Sequence, residues 1–153
     1  MSPKTLLVVE DGREYADAFE RLASLDGLAV RIVRSAGLRE AREALEAGDV
    51  AGVFLDVVFD RVPSSDLAGP RDELLARSGG DRALAERRLA ESQGFYLLDA
   101  LAPHLTERPV VIAWDFALEP RRLAALRERA PLLEGLADDA SLSEAMARFL
   151  RKL

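Results

Sequence analysis

The sequence predicts a single α/β domain in which a mostly parallel, five-stranded sheet carries helices on both faces. Short apolar runs alternate about five times with stretches whose apolar residues recur at helical spacing. The length of 153 residues suits one domain with a real core. A composition of 49% hydrophobic and 31% charged residues is that of a globular chain rather than a disordered one.

The strands are predicted at short, mostly apolar runs, of which the first is continuous, as expected for a strand buried on both faces of a parallel sheet. In chain order they fall at residues 5–9, 29–33, 53–55, 110–114 and, as the weakest pattern, 132–136.

The helices are predicted from apolar residues three or four positions apart. In chain order they are marked by Tyr15 and Phe19 within 13–24; by Leu38, Ala41 and Leu45; by Phe95, Leu98 and Leu101; by Leu123 and Leu126; and by Leu142, Met146, Phe149 and Leu150. Gly48 suits the end of the second helix, and Pro120 suits the first turn of the helix after the fourth strand. Ser141 and Glu144 have the spacing of a capping box at the start of the last helix.

Residues 61–92 contain no predicted strand and are interpreted as an insertion after the third strand. The stretch 61–70 is typical of turns. Residues 81–92 are predicted to form a helix outside the sheet, capped by Asp81 and packed through Leu84 and Leu89. A lid, a partner surface and a structural extension are all compatible with such a segment. Deletion of residues 62–92 is expected to spare folding.

Carboxylates follow the predicted strands at the edge where parallel sheets bind ligands. Glu10 and Asp11 follow the first strand and Asp56 follows the third. Further acids at this edge are Asp60, Asp115, Asp138 and Asp139. Such hard oxygen ligands suit Mg²⁺, and a carboxylate beside the metal can attack a phosphoryl group. Single acids at strand ends are also common as solvated loop residues or helix caps. The prediction therefore rests on Glu10, Asp11 and Asp56 together.

Four motifs give the chain a resemblance to response-regulator receiver domains of two-component signalling. Residues 6–12 (LLVVEDG) resemble the receiver opening, in which a hydrophobic strand ends in an acidic pair. Residues 53–56 (VFLD) resemble the strand that ends in the phosphate-accepting aspartate. Residues 94–98 (GFYLL) and 109–112 (PVVI) are similar to the starts of the third receiver helix and fourth receiver strand.

The resemblance implies a flavodoxin-like, doubly wound sheet in the order 2-1-3-4-5, with residues 1–153 as one receiver-like domain. It implies that Asp56 is the phosphoacceptor. It also implies that Glu10, Asp11, Asp56 and the backbone carbonyl of Val58 hold Mg²⁺. The implied partners are a histidine kinase or phosphotransfer protein and a downstream protein.

The chain departs from the receiver pattern at two positions that contact the phosphoryl group. Trp114 stands where receivers carry serine or threonine, and Ala137, Asp138 and Asp139 stand where they carry lysine. Leu136 lies near the position of the usual aromatic switch residue. Without the hydroxyl and the lysine, the transferred phosphoryl group loses its stabilising contacts. We therefore expect Mg²⁺ binding through Asp11 and Asp56 but poor retention of phosphate.

These features point to three candidate functions. The first is a phosphorylatable stand-alone receiver, since the chain ends one helix after the fifth predicted strand and an output domain is not expected. The second is a degenerate receiver that acts as a phosphorylation-independent protein-interaction module. The third, a Mg²⁺-dependent phosphoryl-transfer enzyme, is disfavoured because Val58 stands where such sites need the second acid of Asp-x-Asp. An enzyme is therefore not predicted.

The remaining features suggest a cytoplasmic protein. The net charge of −6 disfavours direct nucleic-acid binding. No signal peptide or membrane span is predicted, and the absence of cysteine excludes disulfides. The sequence leaves the oligomeric state open.

Three further features were interpreted structurally. His104 is interpreted as an exposed loop residue rather than a phosphotransfer or metal ligand. Trp114 is interpreted as a packing residue, with a gate or partner surface as the alternative. A basic run is interpreted as a solvated face rather than a docking face; its members are Arg121, Arg122, Arg127 and Arg129.

Overall fold

The computed structural model describes residues 2–153, and the five strands in this range form one parallel sheet. They are β1 (Lys4–Val9), β2 (Val30–Ser35), β3 (Val50–Leu55), β4 (Val110–Ile112) and β5 (Leu133–Gly135). Their spatial order is β2-β1-β3-β4-β5, and each neighbouring pair is parallel. The predicted order 2-1-3-4-5 is confirmed.

Seven α-helices connect the strands within residues 2–153, and none of them is long and apolar enough to cross a membrane. They are α1 (Glu14–Leu25), α2 (Leu38–Glu46), α3 (Arg71–Arg77), α4 (Arg82–Glu91), α5 (Gln93–Leu101), α6 (Pro120–Leu126) and α7 (Leu142–Lys152). Six of these were predicted. Helix α3 was missed because seven residues with adjacent leucines show no clear helical period.

The helices cover both faces of the sheet. Alternate strand residues point to opposite faces. Leu6 and Phe54 belong to a cluster with apolar residues of α1 and α7. Leu7 and Leu55 belong to a larger cluster, which we call the main core, with apolar residues of α2 to α6. The doubly wound architecture predicted from the sequence is therefore confirmed.

Strand β4 is shorter than predicted. The expected strand ran to Trp114, but the structure ends it at Ile112. The amide of Trp114 donates to the carbonyl of Ile112, at 2.8 Å, so the chain turns sharply there. Trp114 therefore lies beyond the sheet.

The insertion packs into the main core rather than outside it. Leu67, Leu74, Ala85 and Leu89 are all buried in that cluster. Burial of four apolar side chains on folding stabilises the whole domain. The structure therefore argues against the expectation that deletion of residues 62–92 spares folding.

Helix α4 starts as predicted but buries a different pair of residues. The carboxylate of Asp81 accepts the amide of Leu84, at 3.1 Å, which confirms the predicted cap. Leu89 is buried, whereas Leu84 is only half-buried. Ala85 and Leu89, four residues apart, form the buried stripe because positions i and i+4 share a helix face.

The capping box predicted for α7 is wrong. Ser141 makes no side-chain capping bond to the helix. Its amide and its hydroxyl both donate to the carboxylate of Asp139, at 2.8 and 2.6 Å. The hydroxyl is directed towards this charged acceptor, and its oxygen does not accept the helix amide that a capping box requires.

Candidate functional site

The strand register aligns four strand ends in one row. Val9 pairs with Leu55, Leu55 with Ile112, and Ile112 with Gly135. The ladder continues one residue further, because the amide of Asp56 donates to the carbonyl of Val9 and that of Ala113 to the carbonyl of Leu55, both at 2.9 Å. Asp56 consequently lies beside the end of β1, as the sequence predicted for the carboxyl edge of the sheet.

Glu10 is bound to the start of α1. Its side chain is buried, with 1% exposure. Its two carboxylate oxygens accept the amides of Tyr15, at 3.2 Å, and Ala16, at 2.7 Å. The N-cap residue Arg13 makes no side-chain capping bond, so Glu10 satisfies amides that the helix itself leaves unpaired. The positive end of the helix stabilises this buried charge.

Asp11 is bound to the loop after β3. One of its carboxylate oxygens accepts the amides of Asp60, at 2.7 Å, and Arg61, at 2.8 Å. The guanidinium of Arg34, on β2, donates to the carbonyls of Asp11 and Gly12, at 2.7 and 2.6 Å. Asp11 therefore joins the loop after β1 to the loop after β3.

Asp56 is a half-buried carboxylate in an acidic setting. One of its oxygens accepts the amide of the following residue, Val57, at 2.9 Å. The pKa of Asp56 is raised to about 6, chiefly by burial and also by the charges of Glu10, Asp11 and Glu14, against the lowering effect of the Val57 bond. Asp56 is therefore harder to ionise than an ordinary surface aspartate.

The structure does not gather these carboxylates into one cluster of ligands. Within residues 2–153 no group of three or more acidic or histidine side chains is positioned to hold one metal ion. Glu10 and Asp11 instead accept backbone amides. Val58 has an exposed side chain in the loop after β3, and a metal-binding role for its carbonyl stays a prediction.

No lysine lies at this edge of the sheet. The chain has only two lysines, Lys4 and Lys152. Lys4 begins β1, at the opposite end, and its ammonium donates to the carbonyl of Leu153. Lys152 pairs with Glu134, at 2.8 Å. Neither lysine therefore takes the place of the receiver lysine.

Trp114 is packed in an aromatic cluster that the sequence did not reveal. Its ring lies edge-on to Phe95, with centroids 5.4 Å apart, and its indole N–H donates to Glu119, at 2.7 Å. The guanidinium of Arg122 lies 3.9 Å from the centroid of Phe95 and 5.3 Å from that of Trp114. These contacts agree with the packing role expected for Trp114. The cluster joins α5, α6 and the loop after β4, so only tertiary structure brings it together.

The predicted basic face is largely engaged in contacts. Besides Arg122, the guanidinium of Arg127 donates to the carbonyl of Leu133, at 2.8 Å, and Arg129 pairs with Asp99. Arg121, Arg127 and Arg129 are exposed, and Arg122 is partly buried. The predicted solvated face is therefore confirmed for three of the four arginines, although Arg127 and Arg129 also reach partners on other segments.

His104 ends a short 3₁₀ turn, Ala102–His104, and is partly exposed. Its carbonyl accepts a bond from Arg108, at 2.5 Å. These contacts are structural and bring no second side-chain ligand to the histidine.

The chain matches no protein-family model and no curated protein in sequence. Solved structures similar to it are receiver domains. The receiver domain of Francisella response regulator 1452 has a TM-score of 0.58 at 14% identity, covering 97% of each chain. The receiver domain of NtrX from Brucella abortus has a TM-score of 0.57 at 17% identity, covering 97% of this chain and 99% of that one.

A third similar structure is the signal receiver domain of a putative LuxO repressor protein from Vibrio parahaemolyticus. It has a TM-score of 0.56 at 14% identity and covers 98% of this chain and 92% of that one. Identities this low establish architecture but not activity. The chain therefore has the flavodoxin-like fold of response-regulator receiver domains.

Proposed function

We propose that this chain is a receiver-type signalling module that binds a protein partner without depending on a stable phosphate on Asp56. The observation that carries the proposal is that the acidic pair, Glu10 and Asp11, is already hydrogen-bonded to the backbone. The carboxylates of Glu10 and Asp11 already accept two backbone amides each. Both oxygens of Glu10 are used in this way, so moving its carboxylate to a metal would break the bonds at the start of α1. The two bonds to Asp11 share one oxygen and fix the orientation of its carboxylate against the loop after β3.

The charge around Asp56 supports the same proposal. A phosphoryl group would add nearly two negative charges beside carboxylates that already raise the pKa of Asp56. A pair of unit charges about 4 Å apart is worth about 4 kcal/mol at an effective dielectric of 20. No lysine lies at this edge of the sheet, and the two residues that follow β4, Ala113 and Trp114, carry no hydroxyl to bind the phosphoryl group.

A second candidate function is an ordinary phosphorylated receiver. In it, Asp56 accepts phosphate from a histidine kinase or phosphotransfer protein, and Glu10, Asp11 and the Val58 carbonyl help to hold Mg²⁺. The favouring observation is the position of Asp56, which follows the last residue of β3 at the edge of the sheet and is only half-buried. A donor could therefore reach its carboxylate.

Phosphorylation of the full chain distinguishes the two candidates. Incubation with acetyl phosphate and Mg²⁺ is followed by intact mass, with Asp56→Asn as the matched variant. A receiver domain that accepts phosphate from this donor serves as positive control. We expect no phosphoryl adduct on this chain. A near-stoichiometric adduct that Asp56→Asn abolishes would overturn the proposal in favour of the second candidate.

Metal binding and partner recovery provide independent checks. Trp114 is the only tryptophan, so its fluorescence reports a Mg²⁺ titration without labelling. We expect no saturable change, whereas a saturable change that Asp56→Asn weakens favours the second candidate.

Partners recovered from extract should be the same with and without acetyl phosphate. Partners that appear only with the donor would contradict the proposal.

A further inference from the structure

The side chain of Gln93, in the first turn of α5, forms hydrogen bonds with the backbone of the insertion. Gln93 is buried, with 1% exposure. Its amide oxygen accepts the backbone N–H of Ala68, at 2.9 Å, and its amide nitrogen donates to the carbonyls of Ala68 and Leu89, at 2.5 and 3.0 Å. Both donors of the side chain are therefore used, on two separate stretches of the insertion.

The next residue, Gly94, lies against the backbone of the candidate site. Its amide donates to the carbonyl of Val57, at 3.1 Å. A Cβ atom at this position would lie 2.5 Å from the carbonyl oxygen of Asp56 and 3.0 Å from the Cα of Val57. Only glycine allows so close an approach. Residues 93 and 94 therefore hold the insertion and the site backbone at the same time.

A second bond ties the insertion to the same loop. The amide of Phe59 donates to the carbonyl of Ala90, on α4, at 2.9 Å. Phe59 is itself buried in the main core with Leu89. The loop after Asp56 therefore depends on α4 and α5 for its position.

We propose that Gln93 is a positioning residue that couples the insertion to the backbone of residues 56–59. Local unfolding of the insertion near Ala68 then exposes the amides of residues 56–59 as well. Loss of the Gln93 amide would remove the partners of the part-buried N–H and carbonyl of Ala68 and of the Leu89 carbonyl, and polar groups left unsatisfied on burial are costly. The segment around Ala68 would then separate from α5, and the start of α5 would lose the hydrogen bonds that hold it next to Gly94. A partner that displaces the insertion would move Asp56 in this way, whether or not Asp56 carries phosphate.

Amide hydrogen exchange of the intact chain, read by mass spectrometry, tests the coupling with Gln93→Met. Methionine has a similar length but cannot make the three hydrogen bonds. We expect exchange to rise about tenfold in both residues 66–70 and residues 56–59, the scale set by loss of a buried hydrogen-bonded group. Amides of β1 should stay protected.

The matched control is Met146→Ala, a core truncation on α7, in the cluster on the other face of the sheet from Gln93. It destabilises the domain without removing the Gln93 bonds, and exchange in residues 56–59 should not rise more than in the rest of the chain. Faster exchange in 66–70 alone would show that Gln93 only holds the insertion, and would overturn the coupling. Uniformly faster exchange, matching Met146→Ala, would overturn it too. If Gln93→Met does not fold, Gln93→Asn, one methylene shorter, is judged by the same criteria.

Discussion

At the residue scale, the acidic pair shows how backbone amides decide what a carboxylate does. The types and spacing of Glu10 and Asp11 predict metal ligands, as the receiver resemblance implies. In the structure, both carboxylates are taken up by amides of α1 and of the loop after β3. These amides need acceptors once they leave water. The same residues can therefore serve architecture without serving a metal.

Asp56→Asn is predicted to stabilise the protein at neutral pH and to have little effect at acidic pH. The folded state raises the pKa of Asp56 from 3.8 to about 6, so stability falls as pH rises through this window. Asparagine removes the charge and keeps an oxygen for the Val57 amide. The full linkage value is about 3 kcal/mol, and partial exposure reduces it, so we expect a gain of about 1 kcal/mol.

Urea unfolding of both proteins at pH 4 and pH 8 measures this difference. Asp115→Asn is the control, because Asp115 is an exposed carboxylate beyond the neighbouring strand and also bonds a nearby amide, that of Ala117. Its effect at the two pH values is the reference against which that of Asp56→Asn is compared. Equal effects of Asp56→Asn at both pH values would show that Asp56 ionises as easily in the folded chain as in the unfolded one.

At the element scale, helix α4 shows which predictions a helical pattern supports. Its cap was predicted correctly because Asp81 acts on an amide three residues away. Its buried face was predicted only in part. Leu84 and Leu89 are five positions apart, so the sequence does not decide which neighbouring residue shares the buried face with each of them. Contact with the main core selected Ala85 and Leu89.

Leu89→Ala is predicted to destabilise the protein much more than Leu84→Ala. Leu89 is 1% exposed in the main core, so its truncation leaves a cavity and should cost about 3 kcal/mol. Leu84 is half-buried and should cost about 1 kcal/mol or less. Chemical denaturation of the two variants provides the comparison. Similar losses would mean that α4 packs through the stripe predicted from the sequence.

At the scale of the whole molecule, the insertion is part of the folding unit. The main core gathers apolar side chains from β1, β3 and β4 and from α2 to α6, and α3 and α4 both belong to the insertion. Removing these two helices would expose the buried residues of the loop after β3, such as Val57 and Phe59. The receiver-like sheet therefore needs the insertion to cover it.

Deletion of residues 62–92 is predicted to abolish cooperative unfolding. The deletion removes four buried apolar side chains and breaks the bond from Phe59 to Ala90. Circular dichroism during heating should show no sharp transition. The exposed substitutions Arg82→Ala and Arg87→Ala, within the same segment, should leave the transition in place. A deletion variant that melts cooperatively would restore the view of the insertion as a dispensable extension.

The sequence by itself determined the architecture of this protein. Short, mostly apolar runs specify the strands, and helical periodicity between them specifies the connections, which together predict a parallel sheet. The order of its strands was implied by the resemblance of the motifs around Asp11 and Asp56 to receiver domains. These signals are local or depend on the order of elements along the chain, so they can be read without knowing contacts.

Only the tertiary structure decided what the polar residues contact. Glu10 reaches α1, Asp11 reaches a loop about fifty positions away, and Gln93 reaches Ala68. Each contact depends on which buried amide lies nearest once the core has formed, and no periodicity encodes that distance. The placement of the insertion follows the same rule, because its apolar residues are buried by partners that are distant in sequence.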